Sequence, residues 1–309
     1  MEDLKDQWAM QDSNLRPLAC RARGLTPYPL GPSVSVEFDE SNDAYHADTL
    51  YLNSSRVRDY LDGGPGYYHA KHVAKTHSAT ASSAVQHGTR VHQFLELGAL
   101  EFFNRKVIVP DEFTTEAGAI STTKKAKEWV ASNTGPDSIL LTQAQLQQLL
   151  SQVEAIRRNP AAARLLDAVE WREFSVRWQH DLGHLLRARC DCATDQVWLD
   201  IKTTKDARPS RDWWKSVRTF GYGIQGAIYR WAARECGWPD DRIHYVVTSN
   251  VAPFECMVCT LPTDYVDACE RRVLRALEEI EQRSLLDHWH DTTDVIELSM
   301  PRFTLEDDA

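Results

Sequence analysis

The sequence has no run approaching the roughly 18 apolar residues that a membrane-crossing helix needs, so a soluble protein with no membrane partner is expected. No apolar signal segment follows Met1, and the seven cysteines (Cys20, Cys190, Cys192, Cys236, Cys256, Cys259 and Cys269) are an odd number without the dense pattern of a small secreted domain. A reducing, cytoplasmic setting is the expectation. A glycine-rich phosphate loop followed by Lys-Ser/Thr is also lacking, which excludes an ATP-driven helicase or translocase. Positive charge is scarce too. A formal net charge of -10 excludes a generally basic DNA-coating protein, because phosphate binding is driven by Lys and Arg displacing counterions. Any contact with nucleic acid has to be local.

What is present is a globular chain of 309 residues with 42% hydrophobic content, ample for a buried core. Between Leu185 and Arg234, ten basic residues (Arg187, Arg189, Lys202, Lys205, Arg208, Arg211, Lys215, Arg218, Arg230, Arg234) stand against five acidic ones (Asp191, Asp195, Asp200, Asp206, Asp212). The excess of positive charge there is the partition expected of one polyanion-binding face, although a mixed-charge solvated surface gives the same count.

Residues 1–41 show neither helical nor strand periodicity and carry Pro17, Pro27, Pro29 and Pro32, so they read as a flexible lead-in. A single domain is expected over 42–303, followed by an acidic tail at 304–309. Ser54 and Ser55 can cap a short helix through Leu61, ended by Gly63, Gly64 and Pro65. Helical spacing of Val91, Phe94, Leu95 and their neighbours predicts a long helix from about Ala79 to Phe103, with Gly88 inside it to permit close packing or mark a start. Further helices are expected over about 142–157 and 161–166. Alternation then predicts a strand from Trp171 to Trp178 and a hairpin pairing Leu186–Asp191 with Val197–Thr203. A helix from Trp213 to about Cys236, interrupted at Gly221 and Gly223, precedes two β stretches (244–248 and 254–261) and a long helix from about Tyr265 to Leu286. That order describes one α/β domain with a mixed central sheet.

If Cys192 and Val197 flank a four-residue turn, facing positions sum to 389, so that Asp191 opposes Trp198 and Arg189 opposes Asp200. Asp191, Asp200 and Lys202 then share one sheet face. Strands about 4.8 Å apart let the two carboxylates converge on one cation. Two hard oxygen ligands and an ammonium are the parts needed for metal-assisted phosphodiester hydrolysis. By themselves they describe a solvent-facing charged ladder equally well. His92 and Glu96 share a helical face, as do Gln225 and Tyr229, whose amide and phenol would line one stripe; each pair alone is more commonly structural.

Taken together, Gly88-Thr89, His92, Glu96, Glu173, Arg189 with Asp191, Asp200-Ile201-Lys202-Thr203-Thr204, and Gln225 with Tyr229 resemble, in order and spacing, the RecB-like PD-(D/E)xK nucleases, with the RecE and phage exonuclease branch nearest. The resemblance spans about 53–303. It implies a restriction-endonuclease-like core with an N-terminal helical elaboration, and a Mg²⁺-dependent exonuclease, Mn²⁺ substituting, that degrades linear duplex DNA from 5′ to 3′ and leaves 3′ tails for recombination and repair of phage type. By that analogy His92, Asp191, Asp200 and the Ile201 carbonyl hold metal, Lys202 serves the attacking water, Glu173 is an additional acidic member, and Gln225 and Tyr229 position DNA or the lysine. The implied partners are DNA ends, a single-strand annealing protein and further copies of the chain in a ring. The first acidic motif reads Arg189-Cys190-Asp191, without the proline that often accompanies it. An endonuclease or single-strand nuclease of the same superfamily, and a catalytically silent DNA-end-binding protein, remain alternatives.

Some relatives of this family carry an iron–sulfur cluster, but Cys256 and Cys259 lie three apart in an expected strand and so on opposite faces, which argues against one. Trp213 and Trp214 beside Lys215 and Arg218 are candidates to stack on a nucleotide, against the alternative of packing on the sheet.

Overall fold

In chain order the elements are β1 (Ser35–Glu37), α1 (Asn42–Ala47), α2 (Ser54–Tyr68), α3 (Ser83–Arg105), β2 (Lys106–Val109), α4 (Lys124–Asn133), β3 (Ile139–Thr142), α5 (Gln143–Arg158), α6 (Pro160–Asp167), β4 (Trp171–Gln179), β5 (Leu185–Ala193), β6 (Trp198–Thr204), α7 (Arg211–Thr219), α8 (Tyr222–Glu235), β7 (Ile243–Ser249), β8 (Cys256–Thr260) and α9 (Thr263–Leu286). The computed structural model describes residues 34–290, apart from 39, 78–82, 206, 208–210 and 240, together with residue 295. The expected acidic tail, the first 33 residues of the lead-in and the start of the long helix at Ala79 lie outside the described residues.

Six strands form one mixed sheet in the order β1-β4-β5-β6-β7-β8. Only β6 and β7 run parallel, joined by a crossover through α7 and α8; the other neighbours are antiparallel. Both faces are covered. On one, α2, α8 and α9 close over a core that includes Phe174, Trp198, Tyr229, Trp238, Tyr245 and Val273. On the other, α3, α5 and α6 bury Phe94, Phe102, Leu149, Val153, Leu199, Ile201 and Val246. The mixed sheet between helices is the α/β class expected from the sequence.

Several local expectations are corrected. The cap of α2 is Asn53, not Ser54 or Ser55: its side chain accepts the Arg56 N–H at 3.0 Å. The helix kinks at Gly64 (φ 77°) and resumes, because Pro65 suits a first helical turn where its missing N–H leaves nothing unsatisfied. In α3 the break falls at Gly98 (φ 73°), while Gly88 stays helical. A Cβ on Gly88 would stand 3.4 Å from Thr203 Oγ1, so this glycine lets α3 approach β6 closely. β1, inside the expected lead-in, adds an edge strand to β4. The parallel pair β2–β3 was not foreseen, since four-residue apolar runs carry too little periodicity to assign.

The hairpin register also differs. Thr194 and Val197 close a two-residue turn, with Thr194 N–H donating to Val197 O at 2.9 Å and Thr194 Oγ1 accepting the Val197 N–H at 3.0 Å. Paired positions therefore sum to 391, as in Cys192↔Leu199 and Ala193↔Trp198. The slip is two residues along β6, which preserves the alternation, so Asp191 and Asp200 still share a face.

That pairing stops after Leu199, and β5 and β6 part. At the far end of the same stretch of β5, Leu52 pairs instead: its N–H reaches Leu185 O at 2.9 Å and its carbonyl accepts the Arg187 N–H at 2.8 Å. The sheet is thus forked, and the gap between Leu52 and β6 opens onto residues 188–191 of β5.

Helix α8 is seated closely against α9 at Gly223. A Cβ on Gly223 would fall 2.6 Å from both Cys269 Sγ and Tyr265 Cε1, contacts too short for any side chain. Gly223→Ala should therefore push α8 off α9 and lower stability by about 1–3 kcal/mol, read as a lower urea midpoint at unchanged slope; an unaltered midpoint would contradict this packing.

Candidate functional site

The fork is lined from both sides of the sheet. From α3, the His92 Nε2 lies 3.1 Å from the Ile201 carbonyl, an orientation that turns Nδ1 to Asp191 Oδ2 at 3.6 Å and Glu173 Oε1 at 4.0 Å. The Ile201 carbonyl, expected as a metal ligand, is here the imidazole's partner. Asp191 takes over part of the interrupted ladder, because its Oδ2 accepts the Ile201 N–H at 2.8 Å. Glu173 lies in β4 between Arg172↔Cys192 and Phe174↔Cys190, hence opposite Asp191, and holds a left-handed backbone (φ 46°). Such a conformation costs a non-glycine residue about 1–3 kcal/mol, and it sits where the site is. The other Glu173 oxygen, Oε2, accepts from Arg189 Nε at 3.0 Å.

One ligand atom each from His92, Glu173 and Asp191 fall within 4.8 Å of one another. One imidazole and two carboxylates at that separation fit a hard or borderline divalent cation such as Mg²⁺ or Mn²⁺. The Ile201 carbonyl at Nε2 fixes the imidazole as metal-binding histidines usually are fixed. Asp200 is not in this trio. Fully buried, it is held from two sides: Lys202 Nζ at 2.5 Å from Oδ2 and Gln225 Nε2 at 3.0 Å from Oδ1.

From α8, Gln225 Nε2 also donates to Tyr229 OH at 3.0 Å, and Tyr229 in turn donates to the Arg189 carbonyl that β6 has left unpaired. Gln225 and Tyr229 were expected to handle DNA or the lysine. Their contacts hold Asp200, the partner of Lys202, and the edge of β5, and both side chains line the cleft described below. Lys202 Nζ also stands 4.9 Å from the centre of the Tyr222 ring.

Burial works to lower the pKa of the Lys202 ammonium, but Asp200 and Asp191 outweigh it and raise it, so the lysine keeps its proton. Burial drives Asp200 up to about 6 against the pull of Lys202. For His92 burial pulls down, yet the Asp191 charge and the Glu173 contact lift it to about 9. Glu96, on the same helix face, is raised by burial and by repulsion from Glu173.

His92, Glu173, Arg189, Asp191, Lys202, Gln225 and Tyr229 line a cleft of about 500 Å³ that also takes in Asn53, Ser54, Ser55, Phe220, Tyr222 and Asn250, with Asp200 buried behind it. Trp213, Trp214 and Lys215 do not line it. Trp213 is only 4% exposed and packs on Tyr222, so it cannot stack on a nucleotide; Trp214 meets Tyr265 edge-on at 5.3 Å. Part of the local basic excess is paired as well. Arg187 is buried, Arg189 pairs with Glu173, Arg230 with Asp267 and Glu270, and Arg234 with Asp241. A cation held by Glu173 and Asp191 would bridge these carboxylates to a phosphate in the cleft. Cys256 and Cys259 pack into the cores on opposite sides of the sheet, as their spacing in β8 implies, and Cys20 lies outside the described residues.

Sequence reasoning missed Tyr222, Phe220 and the Leu52 bridge. An aromatic next to a helix break was the only available signal for the first two, and nothing local marks a one-residue bridge.

A mixed sheet between helices, with Asp, Asp and Lys at a fork between two central strands, is the architecture of the PD-(D/E)xK nucleases. A family model described as a PDDEXK-like domain of unknown function (DUF3799) matches residues 58–298, and the chain belongs to that family. It also resembles the crystal structure of a "putative exonuclease" from Eubacterium rectale, at 16% identity and a TM-score of 0.52, over 87% of this chain and 98% of that one. At that identity the likeness is one of fold. No curated protein is matched. Among the described residues no helix is long and apolar enough to cross a membrane.

Two outcomes follow from the geometry. A proton on His92 competes with a metal, so Mn²⁺ affinity measured by calorimetry should rise by up to about tenfold per pH unit between neutral pH and 9, with proton release, and His92→Ala should flatten that slope. An equal slope in wild type and His92→Ala would remove His92 from the metal set. Tyr229→Phe deletes the donor to the Arg189 carbonyl and should cost about 1–2 kcal/mol of stability while leaving the Mn²⁺ affinity within a few-fold. A large loss of metal affinity would place Tyr229 closer to the ion than its contacts do.

Proposed function

We propose that the protein is a Mg²⁺-dependent deoxyribonuclease, Mn²⁺ substituting, that hydrolyses linear double-stranded DNA from its ends, running 5′ to 3′ and leaving 3′ single-stranded tails for recombination. The observation that carries the hydrolytic part is the convergence of His92, Glu173 and Asp191 within 4.8 Å of one another beside the buried Asp200–Lys202 pair. Attack from ends agrees with the description carried by the Eubacterium rectale structure. The polarity, a ring-shaped homo-oligomer and a single-strand annealing partner rest on the RecE-like resemblance, and a cytoplasmic setting on the number and spread of the cysteines.

His92, Glu173 and Asp191 would hold the cation, with Asp200 as a further carboxylate if it releases Gln225. When bound, the ion supplies Lewis-acid polarisation of the phosphate and charge neutralisation. The chain's own residues do the rest. Lys202, kept protonated by Asp200 and Asp191, presents a fixed positive charge where negative charge develops on the phosphoryl oxygens. Gln225 holds Asp200 in the rotamer that keeps Lys202 in place. Because Asp200 titrates near 6, its ionised form, and with it the anchoring of Lys202, is lost as pH falls through that value. Cleavage should decline on the acid side accordingly.

The deciding experiment incubates linear and covalently closed duplex DNA with the protein in Mg²⁺ or chelator, alongside Asp200→Ala and Lys202→Ala. Metal-dependent loss of linear DNA alone is expected, reduced at least about 100-fold in both variants. Equal activity in wild type and Asp200→Ala would refute the site. Cutting of closed circles would replace the exonuclease with an endonuclease, and binding without cleavage with a silent end-binding protein.

A further inference from the structure

The elbow between α7 and α8 places an aromatic ring at the rim of the cleft. Of the exposed large apolar side chains among the described residues, Phe220 is the one that lines it; it is 52% exposed, while Trp213, two rings inward, is 4% exposed. Its ring centre lies 5.8 Å from that of Tyr222 at an interplanar angle of 32°, and Tyr222 lies 5.6 Å from Trp213 at 35°. The three rings form a graded stair from core to solvent, and the middle one is the ring against which Lys202 Nζ rests at 4.9 Å. Phe220 is therefore separated from the Lys202 ammonium by the Tyr222 ring, in steps of 5.8 Å and 4.9 Å.

The position is also rigid. Gly221 adopts φ 66°, and a Cβ on it would meet Arg58 Cδ at 2.6 Å. Arg58 Nη1 donates to the Phe220 carbonyl at 2.9 Å, and the Phe220 N–H donates to Ser216 O at 2.9 Å. Arg58, Ser54, Ser55 and Gln225 surround the same opening with groups that suit a sugar–phosphate backbone. A lone exposed phenylalanine on a soluble surface needs no explanation. One pinned at the mouth of a polar cleft, tilted against the ring that Lys202 rests on, does.

We infer that Phe220 is a base-stacking platform that receives an unpaired nucleobase next to the scissile phosphate, so that the strand entering the cleft does so unstacked from its complement. This rests on the nuclease reading above. Aromatic–base stacking tolerates any base, and each stack lost weakens single-strand binding by about tenfold or somewhat more. The role that the sequence offered to Trp213 and Trp214 falls instead to a ring beyond them in the chain.

The test uses the full chain and a single-stranded DNA oligonucleotide bearing 2-aminopurine at its terminal base, in Ca²⁺, with cleavage of the same strand and of a blunt duplex followed in Mg²⁺. Wild type should quench the 2-aminopurine emission on binding. Phe220→Ala and Phe220→Leu should bind about tenfold more weakly and lose the quenching, whereas Phe220→Trp should keep both. The blunt duplex, whose end must open first, should lose more cleavage than the single strand in Phe220→Ala. Unchanged affinity or unchanged emission in Phe220→Ala, in a protein that still cleaves DNA in Mg²⁺, overturns the platform and leaves the nuclease reading standing. Retained affinity and quenching in Phe220→Leu overturns it equally, since an apolar rim without a ring would then suffice. A wild type that neither binds nor cleaves either DNA overturns both.

Discussion

The hydrogen bond from the Ile201 N–H to the Asp191 carboxylate is the interaction on which the site depends. Two antiparallel strands that separate in the middle of a sheet expose backbone groups that water or other partners must satisfy. Here the side chains of the site do that work: Asp191 takes the Ile201 amide, His92 lies against the Ile201 carbonyl, and Tyr229 reaches the carbonyl of Arg189. The fork and the constellation are therefore one structure. A sheet that stayed zipped would have no opening through which His92 from one helical layer and Gln225 from the other could meet.

The fork is maintained against cost. Asp200 is wholly buried with its pKa driven up, Glu173 holds a backbone conformation unfavourable for its type, and three carboxylates crowd one opening. The surrounding packing supplies the stability. Trp198, next to the last paired position of β6, is fully buried against Phe174, Trp238 and Tyr229, and Trp238 Nε1 donates to the Thr194 carbonyl in the turn. Aromatic burial on this scale fixes the closed end of the hairpin so that the open end can remain strained.

What could be read from the sequence was what repeats or alternates. Helical spacing marked α3, α5 and α9, alternation marked β4 to β6, and the α/β class followed from their order. The site residues were legible because the hairpin parity survives an error in turn length: a turn of two residues in place of four slides the strands but does not rotate a side chain to the other face. Arg189, Gln225 and Tyr229 were found and their contacts were not. Whether an amide faces a substrate or a neighbouring carboxylate depends on tertiary geometry, which spacing does not encode. How much of the basic excess around the hairpin stays unpaired could not be read either, since the acids that pair with Arg230 sit far away in α9. β1, β2 and β3 are too short to carry a period, and the Leu52 bridge is a single residue.

That bridge has a consequence for assembly. Leu52 joins β5 from a part of the chain distant in sequence, and its neighbours Asn53, Ser54 and Ser55 form one wall of the cleft. Contacts of such separation must close a large loop before they repay its entropy. The strands that carry the carboxylates are local to one another and need no such closure. A chain that has formed only its central hairpin thus owns Asp191, Asp200 and Lys202 without the wall that encloses them, and becomes competent to confine a substrate only when the segment around Leu52 has docked on β5.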